Sequence, residues 1–230
     1  MHYYFDGGFG TVRLKEPILG HEIAGTIARV GAEVANVQPG QRVAVNPSRP
    51  CGICRYCKEG KQNHCLNMRF YGSAMRFPHV QGGFREVLVC DVAQAVPVPA
   101  TMSAAQAAFA EPFAVCLHAV NRAGPLLGKR VLVTGAGPIG ALTVIAARRA
   151  GALEIVATDV AEAPLATARK VGADAIMNVT EKDALARHGA DKGYFDVMFE
   201  ASGMQRRWPA ALGSCAQPGP WCRSALQAVR

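Results

Sequence analysis

The segment Arg130–Gly140, RVLVTGAGPIG, narrows the possible folds more than any other part of the chain. An apolar, valine-rich strand runs into a glycine-rich turn, and a helix opens after it at Ile139–Ala150. The alternation continues with strand Glu154–Thr158, helix Ala163–Val171, strand Ala175–Val179 and a last strand at Phe195–Glu200. Strands spaced by helical segments join through βαβ crossovers, so this half of the chain predicts an α/β fold on a parallel sheet.

The turn carries chemistry as well as shape. In Gly135-Ala-Gly137-Pro138-Ile139-Gly140 the first glycine permits the tight turn and the second lets the backbone approach a pyrophosphate. The third allows close packing of helix on strand, with the phosphates over the helix N-terminus. Alone the pattern is weak, and a glycine turn with no ligand is the alternative. Asp159 strengthens it, because it closes the next strand 19 residues after Gly140, where a carboxylate meets an adenosine ribose. No Arg or Lys stands within the nine residues after Asp159 to receive a 2′-phosphate, which favours NAD over NADP.

The first hundred residues have a different texture. Glu22–Val30 and Arg42–Asn46 read as strands separated by the Pro39-Gly40 turn, and Phe84–Val89 and Val96–Ala100 as further extended stretches. Ser103 reads as the N-cap of an Ala-rich helix continuing through Ala123, with a break or kink at Pro112. Between the strands lies Cys51-x2-Cys54-x2-Cys57-x7-Cys65, four soft ligands within fifteen residues. A structural zinc needs four tetrahedral ligands, and thiolates supply both charge and softness. Unrelated thiols or a redox Cys-x-x-Cys are the alternatives, and the second lacks its thioredoxin-like setting. Cys90 and Cys116 have no such neighbours and read as buried apolar residues.

Composition removes several classes. Half of the 230 residues are hydrophobic, which argues against disorder, yet no run of 18 apolar residues offers a membrane span. The opening MHYYFDGGFG has neither a basic nor an apolar signal region, so the expectation is a cytoplasmic protein whose cysteines are thiols and metal ligands. The net charge of +8 raises nucleic-acid binding. Its distribution argues against that, since Met204–Arg230 alone holds four Arg and no acid. The cysteine lobe also lacks a helix rich in base-reading side chains.

Gly20-His21-Glu22 and Glu111-Pro112 bring an imidazole and two carboxylates, donors suited to an open zinc site. A lone His-Glu pair is ordinary; beside a zinc lobe and a dinucleotide loop it becomes a candidate for a second, catalytic metal. His2, Tyr3 and Tyr4 are candidates for proton relay or substrate contact, with ordinary loop residues as the alternative. His79 has no assignable role.

Through LGHEIAGTI, the four-cysteine lobe, AEPFAVCLHA, VLVTGAGPIG and Asp159, residues 1–203 resemble the zinc-dependent medium-chain dehydrogenases, in their sorbitol dehydrogenase-like branch. NPSRPCGICRYC, MRFYGSAMRFPHVQGGF and KGYFDVMFEASG are similar to members of that branch acting on L-idonate. The resemblance implies a GroES-like catalytic domain over 1–123 and a Rossmann NAD-binding domain over 124–203. It implies catalytic zinc at His21, Glu22 and Glu111, structural zinc at Cys51, Cys54, Cys57 and Cys65, and a proton-relay role for His2. The implied reaction is NAD-linked oxidation of a polyol or aldonate secondary alcohol, L-idonate to 5-keto-D-gluconate, in a cytoplasmic homo-oligomer. A sorbitol- or xylitol-type enzyme and an inactive zinc- and nucleotide-binding remnant are the alternatives.

The same family pattern places a catalytic-zinc cysteine ahead of Met1 and further strands beyond both ends, so both domains are expected to be partial. In Met204–Arg230 a fifth sheet strand should appear, and no β-branched apolar run does; the segment holds both tryptophans, three prolines and two cysteines. Read one base earlier with GC-rich codons, it can become HAAALAGGAWVVRPAGAVVQVGLAGG, a helix and then a VVQVG strand. Residues 204–230 are therefore expected to be a frameshift product.

Overall fold

The computed structural model describes residues 8–9, 12–13, 17–73, 75–181, 184–185, 188 and 193–203. His2, Tyr3, Tyr4 and the expected frameshift segment 204–230 lie outside the described residues. Two compact units divide the chain at Glu111/Pro112. Among the described residues no helix is long and apolar enough to cross a membrane.

The first unit is antiparallel. β1 (Gly8–Phe9) pairs with β2 (Val12–Arg13), and β3 (Ile23–Thr26), β4 (Arg42–Val45) and β7 (Ala95–Pro97) form a sheet in the order β3-β4-β7. Pro97 is tolerated because β7 is an edge strand in that sheet. A short ribbon of β5 (Ser48–Arg49) and β6 (Arg69–Phe70) flanks the cysteine lobe, which contains the one-turn helix α1 (Arg55–Lys58). Val43, Val45 and Ala95 make a small core, with Ile23, Ile27 and Tyr71 packed against it. The stretch 84–89, expected as a strand, is irregular, and Phe84, Val87 and Val89 are exposed.

The Ala-rich region forms two helices, α2 (Ala104–Ala108) and α3 (Ala110–Ala123), parted at Phe109. Ser103 caps the first as expected: its Oγ accepts the Gln106 N–H at 3.1 Å, and Gln106 Oε1 accepts the Ser103 N–H at 2.8 Å. The break precedes Pro112 because proline has no N–H to give the carbonyl four residues back. Starting α3 at Ala110 puts Pro112 in a first turn, where N–H groups have no helical partner anyway.

The second unit is a parallel sheet in the order β10-β9-β8-β11: β8 Arg130–Thr134, β9 Glu154–Asp159, β10 Ala175–Asn178 and β11 Val197–Glu200. α4 (Pro138–Arg149) and α5 (Glu162–Lys170) make the crossovers from β8 to β9 and from β9 to β10. One face buries Val131, Val133, Ile155 and Phe199 with Val144 and Leu165. The other buries Leu132, Val156 and Met198 with Phe195 and Met177. Burial on both faces is why β8 and β9 read as continuous apolar runs and not as alternations. Cys116, Ala119 and Val120 of α3 join the first of these cores, and this compact unit begins at Pro112.

Candidate functional site

The four cysteines of the lobe converge. All are half-buried, and one sulfur from each lies within 4.8 Å of the others. Cys54 Sγ is 3.6 Å from Cys57 Sγ and 4.0 Å from Cys65 Sγ. A tetrahedral zinc with bonds of about 2.3 Å has sulfur–sulfur edges of about 3.8 Å, so the donor set fits the ion closely. The backbone is arranged for negative sulfur: the N–H groups of Cys51 and Asn67 donate to Cys65 Sγ at 3.1 and 3.3 Å. Backbone hydrogen bonds from Cys57 and then Leu66 pull the Cys54 thiol down to about 6. Partial burial and the adjacent Cys54 and Cys65 push Cys57 up to about 12. Thiolates this close repel one another, and a divalent cation is what lets all four ionise together.

His21, Glu22 and Glu111 form the second cluster, again with one donor atom from each within 4.8 Å of the others. His21 follows a crossing in which the 82–84 segment lies against 18–20: Gly82 N–H donates to Ile18 O at 2.6 Å and Gly83 N–H to Gly20 O at 2.8 Å. A Cβ on Gly82 would stand 2.4 Å from the Leu19 carbonyl, so glycine is needed for that approach. The His21 ring meets Phe70 edge-on at 5.4 Å. Glu111 enters from the first turn of α3. Burial pushes its carboxyl up, His21 partly offsets this, and Glu22 adds to it. One imidazole and two carboxylates are the borderline and hard donors zinc accepts, and three protein ligands leave a coordination position open.

In the second unit Gly135–Gly140 joins the C-terminal end of β8 to α4, beside β11, where the strand order reverses. Ligands of doubly wound sheets bind at such points. A Cβ at Gly140 would sit 1.8 Å from Gly135 O, so only glycine lets the helix pack there. Gly137 is the N-cap and Pro138 the first helical residue, and the first turn holds no acid to repel a phosphate. Ile139 anchors the turn, its carbonyl accepting Thr143 Oγ1 at 2.8 Å. Asp159 Oδ2 accepts the Ala136 N–H at 2.7 Å, and Oδ1 accepts those of Val160 and Ala161 at 2.7 and 3.1 Å. The carboxylate expected at the ribose thus also ties the glycine loop to the end of β9.

Comparison with known proteins accounts for both halves. Residues 2–100 match the alcohol dehydrogenase GroES-like domain, and residues 138–222 match the zinc-binding dehydrogenase domain. The chain belongs to the zinc-binding dehydrogenases. It is 44% identical over 218 residues to L-idonate 5-dehydrogenase (NAD(P)(+)) of Escherichia coli K12, covering 94% of this chain and 62% of that protein. It is 37% identical over 223 residues to sorbitol dehydrogenase of Bacillus subtilis 168, covering 95% of this chain and 62% of that protein. The crystal structure of the E. coli L-idonate 5-dehydrogenase superposes with a TM-score of 0.88 over 93% of this chain and 61% of that one. The chain thus spans about 62% of the length of these two curated relatives.

The sequence reading did not single out Glu200, which closes β11 and is 8% exposed. Its Oε1 accepts the Ser202 N–H at 2.7 Å, Ser202 Oγ–H at 2.5 Å and the Gly203 N–H at 3.0 Å. These bonds shape the 200–203 turn, which packs on the glycine loop: a Cβ at Gly135 would meet Ser202 N at 2.6 Å. An acid closing an apolar strand just before Ser-Gly was the available signal.

Proposed function

We propose that this dehydrogenase carries out zinc-dependent, NAD-linked oxidation of a secondary alcohol on a polyol or aldonate, with L-idonate to 5-keto-D-gluconate as its reaction. The convergence of His21, Glu22 and Glu111 carries the proposal, since it supplies an open N/O metal site in a chain that also has a nucleotide loop. Forty-four per cent identity to the L-idonate enzyme supports the substrate over sorbitol or xylitol. NAD, held by Gly137, the α4 N-terminus and Asp159, would supply the hydride acceptor for the alcohol carbon, while the hydroxyl proton would pass to solvent. His21, Glu22 and Glu111 would hold the zinc, which would supply Lewis acidity that makes the hydroxyl easier to deprotonate.

The protein's own residues do the rest. His21 and Glu22 hold two donor positions from the start of β3, and Glu111 holds the third from α3. Gly137 and the α4 N-terminus bind the pyrophosphate, and Asp159 takes the ribose, which favours NAD. Cys51, Cys54, Cys57 and Cys65 hold a structural zinc, and His2 serves as proton relay. We place the protein in the cytoplasm as a homo-oligomer; the six described cysteines, four of them read as zinc ligands, form no disulfide with one another, in keeping with a reducing compartment.

The test is direct. The purified chain is assayed for zinc per chain, for sedimentation, and for NADH formation at 340 nm with L-idonate, sorbitol and xylitol. Two zincs with the highest kcat/KM on L-idonate support the proposal. A preference for sorbitol or xylitol reassigns the substrate, and nucleotide binding without turnover leaves a zinc- and nucleotide-binding protein that is not an enzyme.

A further inference from the structure

In the β5–β6 ribbon Arg49 stands directly opposite Arg69. Residues so paired project from the same face with Cβ atoms about 5 Å apart, where like charges destabilise the pair. One carboxylate answers them: Asp91 Oδ2 lies 2.6 Å from Arg49 Nε. Arg69 has no acidic partner among the described residues. Two cations set side by side against one anion leave a net positive charge that no acid among the described residues neutralises.

Both arginines line a cavity of about 720 Å³ that Asn46, Gln62, Asn67 and the Arg49-paired Asp91 also line. Asn46 Oδ1 already accepts the Ser48 N–H at 3.0 Å, and Asn67 Oδ1 accepts Arg76 Nη2 at 3.3 Å. Each oxygen keeps a second lone pair, but the NH2 groups, which make no hydrogen bond among the described residues, are what these amides can donate to an anion. Gln94, 4% exposed, gives the cavity a rigid wall: its Nε2 donates to Asn46 O at 2.9 Å and its Oε1 accepts Tyr71 Oη–H at 3.3 Å. Guanidinium forks and amide donors around one space make an oxyanion receptor.

We propose that this pocket binds a phosphate group between Arg49 and Arg69. The ligand is inorganic phosphate or the phosphate of a small monoester, and a cavity of about 720 Å³ has room for the latter's organic part. The residues lining the site all belong to the first unit, whereas the Gly135–Gly140 loop belongs to the second.

The full-length chain is titrated calorimetrically with inorganic phosphate and, separately, with glycerol 3-phosphate, at constant ionic strength in chloride. The glycine loop also takes phosphates, so the readout is the binding component that depends on Arg69. Arg69→Gln should weaken that component about tenfold or more, and Arg69→Lys, which keeps the charge and loses the fork, only a few-fold. Zinc content and far-UV circular dichroism should match the parent in both, and the lysine variant preserves the comparison should the glutamine variant fold poorly. Tighter binding of the ester identifies a phosphomonoester ligand, and equal binding identifies free phosphate. Unchanged affinity in Arg69→Gln, or no saturable binding into the tens of millimolar, overturns the assignment.

Discussion

Two Gly→Ala changes three residues apart in the nucleotide loop should have opposite signatures. At Gly140 the added methyl would lie 1.8 Å from Gly135 O and 2.9 Å from Gly135 C, whereas real contacts of this kind stay beyond 3.0 Å. The obstacle is backbone, so relief requires the turn and the α4 N-terminus to move apart. Overpacking of a well-packed site costs about 1–3 kcal/mol, and a backbone clash this deep belongs at the upper end. At Gly137 the methyl would meet nothing within 4 Å. Its φ of −62° suits alanine, and Gly→Ala at a compatible position stabilises by about 0.4–1 kcal/mol through the unfolded chain. Loss of a glycine N-cap offsets that by a similar amount, leaving stability within about 0.5 kcal/mol of the parent. That same open space is where the pyrophosphate must approach, so Gly137→Ala should weaken NADH binding at least tenfold. Urea unfolding and NADH fluorescence titration on both variants separate the effects. Parent-like NADH affinity in Gly137→Ala would refute the pyrophosphate reading, and parent-like stability in Gly140→Ala would refute the packing argument.

Cys54→Ser should remove one zinc per chain and make the 51–65 lobe sensitive to protease, and a strong chelator should do the same to the parent; an unchanged metal count would sink the structural-zinc assignment. Glu200→Ala strands the Ser202 and Gly203 N–H groups and should cost about 2–4 kcal/mol in urea unfolding while weakening NADH binding, with Glu200→Gln recovering part of both. Burial pushes the Asp174 carboxyl up, but the Ile155 N–H and the Arg148 guanidinium more than offset it and hold it below the usual carboxylate range. Its contribution is therefore present above the unfolded value of about 3.9 and lost as pH falls through the lower folded value. The side chains are 37% and 44% exposed, so solvent screening limits the Arg148–Asp174 pair to about 0.5–1 kcal/mol; the stability gap between parent and Asp174→Asn should close between pH 5 and 2, and a gap independent of pH would contradict this. Sequencing the DNA across residues 190–230 tests the frameshift reading: a neighbouring frame without the helix-and-strand peptide rejects it.

The parallel sheet was legible because its strands are buried on both faces. Val131, Leu132 and Val133 face alternate cores yet are all fully buried, so the strand is apolar throughout and stands out from the amphipathic helices around it. The cysteine lobe was legible because metal-ligand spacing is local, and the whole donor set falls within fifteen residues. The antiparallel unit was harder to read. Its core is small, its strands have two to four residues, and apolar side chains such as Val87 and Val89 stay exposed, so hydrophobicity does not mark the strands there.

Long-range sites were legible only in part, and the reason is visible at Pro112. A proline in an Ala-rich stretch can kink one helix or start another, and the local sequence permits both. The structure starts a second helix at Ala110, and this decides where the metal cluster gets its third donor, because Glu111 falls in the first turn and approaches His21 from 90 residues along the chain. Glu200 and Arg69 escaped notice for the same reason. Each looks like an ordinary charged residue until pairing sets Glu200 against the 202–203 backbone and Arg69 opposite Arg49. Charge along a sequence says little about charge in space. A carboxylate at a strand end becomes a positioning residue once its turn folds back on it, and an arginine becomes a ligand-binding candidate when its cross-strand neighbour is another arginine.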